Sequence, residues 1–339
     1  MHAIFEIDNN RRTPKYLQIA HSVTKAIKQG KIKRGDRILS INELSNEFLL
    51  SRDTVQKAYD ILEKEKIISA VRGKGFYINR TDIHLSYRIL LVFNKLSSYK
   101  KMIYDGFVNA MENKATVELK IHHSNARVFD EIINTSLGEY DYYVVMPHFY
   151  DQPESIAGIL QRIPDEKLIL LDKEVAGKFL RNTAVYQDFE NDIIEALETG
   201  LVYLRKYDTL IYADPRLIPK PAEIVKGFRS FCNQHKFAHK VIGEITPGYD
   251  IRPGQVYVVA EDADLINLIK SIQEKGMVLG KDIGIISYNE TPLMEILMNG
   301  ISTISTDHYQ MGKTAAELIL AQKTTRVKNK FTFIKRASL

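Results

Sequence analysis

Ser51-Arg52-Asp53-Thr54-Val55-Gln56-Lys57-Ala58-Tyr59-Asp60-Ile61-Leu62 reads as a helix with two unlike faces. Ser51 is an N-cap candidate. Val55, Ala58, Tyr59 and Leu62 recur at helical spacing and form a stripe for burial, which leaves Arg52, Asp53, Gln56 and Lys57 on or near the open side of the first turns. Just upstream, Ser40-Ile41-Asn42-Glu43 has the spacing of a capping box, in which a hydroxyl and a carboxylate each satisfy an orphan amide. A second, short helix should therefore start at about Ile41, with Leu44 and Phe48 as its core face. Two short helices joined through Leu49-Leu50 predict a helix-turn-helix.

Outward from this pair, Tyr16, Ile19, Ala20, Val23 and Ile27 place a first amphipathic helix between Lys15 and Gln29, with Pro14 before it and Gly30 after it. Gly35-Asp36-Arg37 reads as a turn. On the other side, the β-prone runs Ile67–Val71 and Phe76–Ile78 flank Arg72-Gly73-Lys74-Gly75, a hairpin tip with two glycines and two cations. This hairpin is the expected wing. We assign residues 1–79 to this head and 80–86, which lack periodicity, to a linker.

Beyond Tyr87 short apolar strands alternate with helical stretches. Strands are expected at Ile89–Phe93, Val117–His122, Tyr142–Met146, Leu168–Leu171, Thr209–Tyr212, Val241–Ile245, Val256–Ala260 and Ile283–Ser287. Helices are expected at Met102–Asn113, Arg127–Thr135, Phe189–Leu204, Pro221–Gln234 and Asp264–Lys275. That alternation predicts α/β architecture with parallel sheets covered by helices, and ligands outside the carboxyl ends of the strands.

The chain has 339 residues, too many for one ordinary core. Its charge is unevenly placed. Residues 1–85 carry sixteen lysines and arginines against ten aspartates and glutamates, a balance of +6; the remainder carries thirty-one against thirty-two. A small basic head on a near-neutral partner is what attraction to a phosphate backbone requires. No apolar run approaches the roughly 18 residues of a membrane span and the first ten residues lack a signal-peptide core, so a cytoplasmic protein with no membrane partner is expected. The single cysteine, Cys232, lies in an apolar helical pattern and reads as a buried structural thiol. His122-His123, His148, His235, His239 and His308 show no metal-ligand spacing, and we expect neither metal nor cofactor.

Pro14 to Ile19, Gly35-Asp36-Arg37, Ser51 to Val55 and Gly73 to Phe76 resemble, in order and spacing, the GntR family of bacterial regulators. The resemblance spans nearly all of residues 13–78 and implies a winged helix-turn-helix that binds double-stranded operator DNA. An arginine opening a helix in the major groove can pair with guanine through two hydrogen bonds, so Arg52 is the base-reading candidate. Thr54 and Lys57 would hold phosphates, and Lys74 would reach the backbone or minor groove from the wing. The implied contact set is completed by Lys15, Ser40, Asn42, Ser51, Gln56, Arg72, Gly73 and Gly75. Leu39 stands where the family usually has proline, Asn42 where it has a basic residue, and Gln56 where it often has arginine; the last two favour adenine geometry over guanine.

Residues 87–339 resemble a different fold, that of the lac-repressor and periplasmic sugar-binding proteins, as in the arabinose-responsive branch of the GntR family. Asp105-Gly106-Phe107, Leu171-Asp172-Lys173, Val185–Asp188, Lys226-Gly227-Phe228, Ala260-Glu261-Asp262, Gly284–Asn289, Ser302-Thr303-Ile304 and Phe333–Arg336 carry it. The resemblance implies two lobes crossed three times by the chain, one from 87–186 and 304–322, the other from 187–302 and 328–339. By motif position it points to Ser97, Tyr99, Lys100, Asp172, Lys173, Glu261, Asp262, Asn289 and Thr306 as contacts to a sugar-like effector. Lys173 replaces a common arginine, Ile224 stands where many relatives place a sugar-clamping arginine, and Asn289 is neutral, so the ligand chemistry should differ.

These features together predict a homodimeric transcription regulator, not an enzyme: the chain shows neither a nucleophile elbow nor a Walker loop. The competing interpretations are an architectural DNA binder whose second domain no longer takes a ligand, and a regulator fused to a pyridoxal-phosphate enzyme.

Overall fold

The computed structural model describes residues 4–7, 14–81, 87–150, 153–175, 179, 181–215 and 220–339. Residues 82–86 of the expected linker lie outside them.

The head is built from three helices and a small sheet. Helix α1 (Lys15–Lys28) follows Pro14; strand β1 (Arg37–Ile38) leads to α2 (Ile41–Glu47), α3 (Arg52–Lys64), β2 (Ile68–Val71) and β3 (Gly75–Ile78). The local signals act as read: Ser40 and Glu43 close a capping box at α2, and the Ser51 hydroxyl accepts the Thr54 amide at α3. The stripe Val55, Ala58, Tyr59 and Leu62 is buried together with Ile19, Val23, Ile38, Leu44, Ile67 and Ile78, each large aliphatic side chain contributing roughly 1.5–3 kcal/mol. The Tyr59 hydroxyl donates to the Leu39 carbonyl at 2.5 Å, and its ring meets Phe76 edge-on at 4.7 Å, so α3 is fixed to both the sheet and the wing. The run expected as a turn at 35–37 ends in a strand, because Arg37 and Ile38 pair antiparallel with Tyr77 and Phe76 and add a third strand in the order β1-β3-β2.

The second part holds two six-stranded sheets. The first lobe takes β4 (Tyr87–Phe93), α4 (Ser98–Met111), β5 (Ala115–Ile121), α5 (Ala126–Ser136), β6 (Tyr142–Val145), α6 (Pro153–Leu160), β7 (Leu168–Asp172) and β8 (Thr183–Tyr186). The second takes α7 (Phe189–Thr199), α8 (Leu201–Leu204), β9 (Thr209–Ala213), α9 (Ala222–His235), β10 (Ala238–Ile242), β11 (Gln255–Val259), α10 (Asp262–Glu274), β12 (Ile283–Tyr288), α11 (Pro292–Ile296) and β13 (Ser302–Thr306). Then α12 (His308–Leu320) and β14 (Arg326–Lys328) return to the first lobe, and β15 (Phe331–Ile334) closes the second. Strand orders are β14-β8-β7-β6-β4-β5 and β10-β9-β11-β12-β13-β15, parallel in every described pairing except β13 with β15.

The chain thus passes between lobes after β8, β13 and β14, and Asn329 ties the three passages together. Its amide nitrogen donates to the Tyr186 carbonyl at 2.7 Å, and its side chain donates to Thr306 Oγ1 at 2.7 Å and the Asp307 carbonyl at 2.8 Å. Asn329 is buried. Lys328 beside it reaches Asp192 at 2.9 Å, and Asp188 and Glu195 at 3.9 Å, linking the third passage to the first turns of α7.

Several element boundaries differ from expectation. The strand expected at Val241–Ile245 runs from Ala238 to Ile242: it lies at the edge, pairs only with β9 and carries polar His239 and Lys240, while Ile245 enters the core from a loop. The single helix expected over 189–204 divides into α7 and α8 at Gly200, where a Cβ would lie 2.9 Å from the Phe333 ring. Cys232 is buried in α9, and burial pushes its thiol up to about 12. Among the described residues no helix is long and apolar enough to cross a membrane.

Candidate nucleic-acid interface and ligand cleft

The far side of α3 from the head's core is polar and exposed. Arg52, Gln56 and Lys57 are exposed there, Arg72, Gly73 and Lys74 form the tip of the wing, and Asn42 is exposed on α2. Gly73 and Gly75 have φ of +74° and +100°, which lets the hairpin turn tightly behind Lys74. Among the described residues neither Arg52 nor Lys57 forms an ion pair. Their charges are available to an external anion.

Other expected contact residues are already engaged. Ser40 is spent on the capping box, Ser51 and Thr54 share a hydroxyl contact of 2.7 Å at the N-terminus of α3, and Gln56 donates to Asp60 Oδ1 at 2.7 Å. Lys15 is half-buried at the start of α1, and Gly75 lies behind the wing tip beside Arg37. A helix start also presents amide donors and a positive dipole end, which favours phosphate.

In the second part a cleft of about 540 Å³, open mouth included, lies between the lobes. It is lined by Lys95, Tyr99, Lys100, Asp172, Glu261 and Asn289, among others, and an adjoining hollow adds Ser97 and Asp262. These residues come from strand ends and helix starts, where α/β sheets hold ligands. Asp172 closes β7 with φ +73° and Asn289 follows β12 with φ +97°; both left-handed conformations turn the side chain off its strand at the cleft. Ser97 and Glu261 are N-cap residues of α4 and α10 without a capping bond from their side chains.

Asp172 is the best-held group. His148 Nε2 donates to its Oδ2 at 2.8 Å and the Gln187 amide donates to its Oδ1. Burial alone would raise its carboxyl, but the bonds from His148 and Gln187 and the nearby Lys100 outweigh it and hold the pKa below the usual carboxylate range. Burial keeps His148 neutral by lowering its pKa, so it acts here as an N–H donor. Lys100, almost fully buried, donates to Asn94, and burial brings its ammonium down to about 8. The Tyr99 ring stacks obliquely on His308 with centroids 4.9 Å apart.

Two expected contacts do not line the cleft. Lys173, after β7, is absent from the lining. Thr306 is buried among the crossing segments, where it donates to the Lys330 carbonyl at 3.2 Å and accepts from Asn329. The cleft also contains residues that were not expected as ligand contacts: Asn94, Lys95, His148, Tyr212 and Lys220, and Gln187 and Tyr288 within the stretches Val185–Asp188 and Gly284–Asn289. Tyr212 and Tyr288 sit near the carboxyl ends of β9 and β12, which is the one positional signal that was present. Ile224, at the position of the relatives' arginine, puts an aliphatic surface on the second-lobe wall.

Residues 15–78 match the model of bacterial regulatory proteins of the gntR family, and residues 210–338 match that of periplasmic binding protein-like domains. The HTH-type transcriptional repressor YtrA of Bacillus subtilis is 32% identical over 120 residues, covering 35% of this chain and 87% of that protein. The arabinose metabolism transcriptional repressor of Geobacillus stearothermophilus is 21% identical over 348 residues, covering 91% of this chain and 90% of that protein. In fold, the second part is similar to the lac repressor dimer solved with operator and the anti-inducer ONPF, with TM-score 0.61 and 14% identity over 75% of this chain and 94% of that one. Head, two-lobed domain and relatives agree: residues 210–338 match periplasmic binding protein-like domains, and the chain belongs to the gntR family of bacterial regulatory proteins.

Proposed function

We propose that this protein is a cytoplasmic, homodimeric transcription repressor whose affinity for an operator is set by a small polyhydroxylated ligand held between its two lobes. The head, residues 1–79, binds DNA; residues 80–86 are the linker; residues 87–339 bind the effector. The observation that carries the DNA half is the exposed, unpaired Arg52 at the capped start of α3, with Lys57 further along the same helix and Lys74 at the wing tip. Arg52 reads a base, while Lys57 and Lys74 hold phosphates. Asn42 and Gln56 reach adjoining bases, Gln56 after releasing Asp60, with Lys15, Ser40, Ser51, Thr54, Arg72, Gly73 and Gly75 around them.

The cleft supports the sensor half: a buried, hydrogen-bonded carboxylate, amides, lysines and aromatic rings converge at strand ends, the equipment needed to hold many hydroxyls at once. The contacts we assign there are Ser97, Tyr99, Lys100, Asp172, Glu261, Asp262 and Asn289. The ligand regulates through its different affinities for the DNA-competent and DNA-incompetent states, a coupling of typically about 1–3 kcal/mol. Catalysis is not part of this function. The arabinose metabolism repressor among its relatives, and the lac repressor dimer of similar fold with its bound anti-inducer, favour this interpretation over an architectural protein without ligand.

The test is a titration of a duplex enriched from random sequence, with and without small molecules that raise the melting temperature. A ligand at 100 times its Kd should add roughly 2.7 kcal/mol of stability, and the same ligand should change duplex affinity five- to 150-fold. A molecule that binds the cleft and leaves duplex affinity unchanged would contradict regulation by that ligand, and failure of every small molecule to raise the melting temperature would favour the architectural interpretation.

A further inference from the structure

We infer that the ligand of the cleft is a polyhydroxylated molecule bearing one anionic group, a carboxylate or a phosphate monoester, received by Lys220, Tyr212 and Tyr288 on the second-lobe wall. This inference rests on the sensor function proposed above and sharpens it.

The charged lining groups differ in the partners they already have. Asp172 already accepts from His148 and Gln187, one bond on each oxygen, and Glu261 faces Lys95 at 3.7 Å. Both carboxylates of the main cleft are therefore answered. Its cations are three, Lys95, Lys100 and Lys220. Lys100 has only the neutral carbonyl oxygen of Asn94, and the Lys220 ammonium is buried with no hydrogen-bond partner among the described residues.

The hydroxyls of Tyr212 and Tyr288 are in the same state: both are buried, both line the cleft and neither has a hydrogen-bond partner among the described residues. Burial raises both phenols far above neutrality, so each keeps its proton. One wall of the cleft thus offers an ammonium and two O–H donors with no acceptor supplied. An orphan buried donor is costly, and a buried charge more so. A carboxylate or phosphate answers all three at once through charge-assisted bonds, roughly twice as strong as neutral ones. A sugar hydroxyl, with two acceptor lone pairs, would answer at most two of the three groups and bring no charge to the ammonium.

The rest of the cleft suits the neutral part of such a ligand. Gln187 Oε1 is a buried acceptor without a partner, facing the cleft beside Asp172, and takes ring hydroxyls. Tyr99, Phe189 and Ile224 supply apolar surface for the ring. Asp214, Glu261 and Asp264 offset part of the Lys220 charge from a distance, and Lys95 adds to it; burial is the largest influence and lowers the Lys220 pKa.

Full-length protein should be titrated calorimetrically with matched triplets: glucose, glucuronate and the terminal phosphate ester of glucose, then the galactose and arabinose equivalents. We expect at least one anionic member to bind about tenfold or more tightly than its neutral parent, and the uronate and phosphate arms decide which anion fits. Lys220→Met should reduce that preference to under about threefold. It should also raise the melting temperature of the free protein, since it removes a buried ammonium that has no hydrogen-bond partner among the described residues and is only partly offset by distant carboxylates. Tyr288→Phe, a milder change, should lower the preference in the same direction. Neutral sugars binding as tightly as both anionic partners would overturn this inference and leave the sensor function standing. No binding by any member would overturn the sensor function itself, and this inference with it.

Discussion

At the scale of single residues, what the sequence made legible was local chemistry. The capping box at Ser40 and Glu43 and the cap at Ser51 are spelled within four residues, and the structure forms them. The cleft is different. Thr306 looked like a ligand contact by motif position, yet Asn329, 23 residues away in the chain, recruits its hydroxyl into the crossing segments. Lys220, Tyr212 and Tyr288 are assembled from separate strand and helix ends, and no spacing marks them. Buried histidines lead to a pH prediction. Burial lowers His122 to about 4 and His308 to about 4, from 6.5. The unfolded chain takes up these protons near pH 6.5 and the folded chain only near 4, so the stability they support is complete above that window and falls as pH drops through it. The slope is up to about 1.4 kcal/mol per pH unit for each histidine. Melting temperatures recorded between about pH 7.5 and about pH 4.5 should fall toward acid, and His122→Phe should flatten the curve. An acid limb unchanged by that substitution would remove His122 as a cause.

At the scale of elements, long amphipathic patterns and the short strands bounded by clear turns were readable, and several other short strands were not. Strands β8 and β15 have four residues each and β14 three, too few for a pattern to separate them from a loop, and β10 shows the polar residues of an edge. The Asp105-Gly106-Phe107 motif now has a physical reason. Helices α4 and α12 pack so closely that a Cβ on Gly106 would lie 2.1 Å from the Tyr309 carbonyl oxygen, and one on Gly312 1.9 Å from that of Ile103. Backbone is in contact with backbone on both sides, and neither can yield without moving its helix. Gly227 on α9 repeats the device against Glu190 of α7. We predict that Gly312→Ala lowers the stability of the two-lobed domain by about 2–3 kcal/mol, seen as an earlier transition in urea. An unshifted midpoint would mean that the helices separate at little cost.

At the scale of the whole molecule, the sequence divided the chain into a basic head and a near-neutral remainder, and each part proved to be a separate kind of fold. The alternation of strand and helix was enough to predict parallel sheets. What it left out was how the lobes are joined, because that depends on Asn329 and Lys328 meeting groups far away in the chain. Three passages held by one buried amide suit a domain that opens and closes about a fixed axis.

The central claim, that Arg52 at the start of α3 reads DNA, is tested most directly by fluorescence anisotropy. Wild type and Arg52→Ala would be compared on a duplex enriched by the wild type and on a scrambled duplex, at one salt concentration. Loss of a two-bonded guanine contact costs about 1–3 kcal/mol per base, so the variant should bind the enriched duplex about ten- to a hundredfold more weakly, close to its affinity for scrambled DNA, and still bind ligand. Equal affinity of variant and wild type for the enriched duplex would contradict the account.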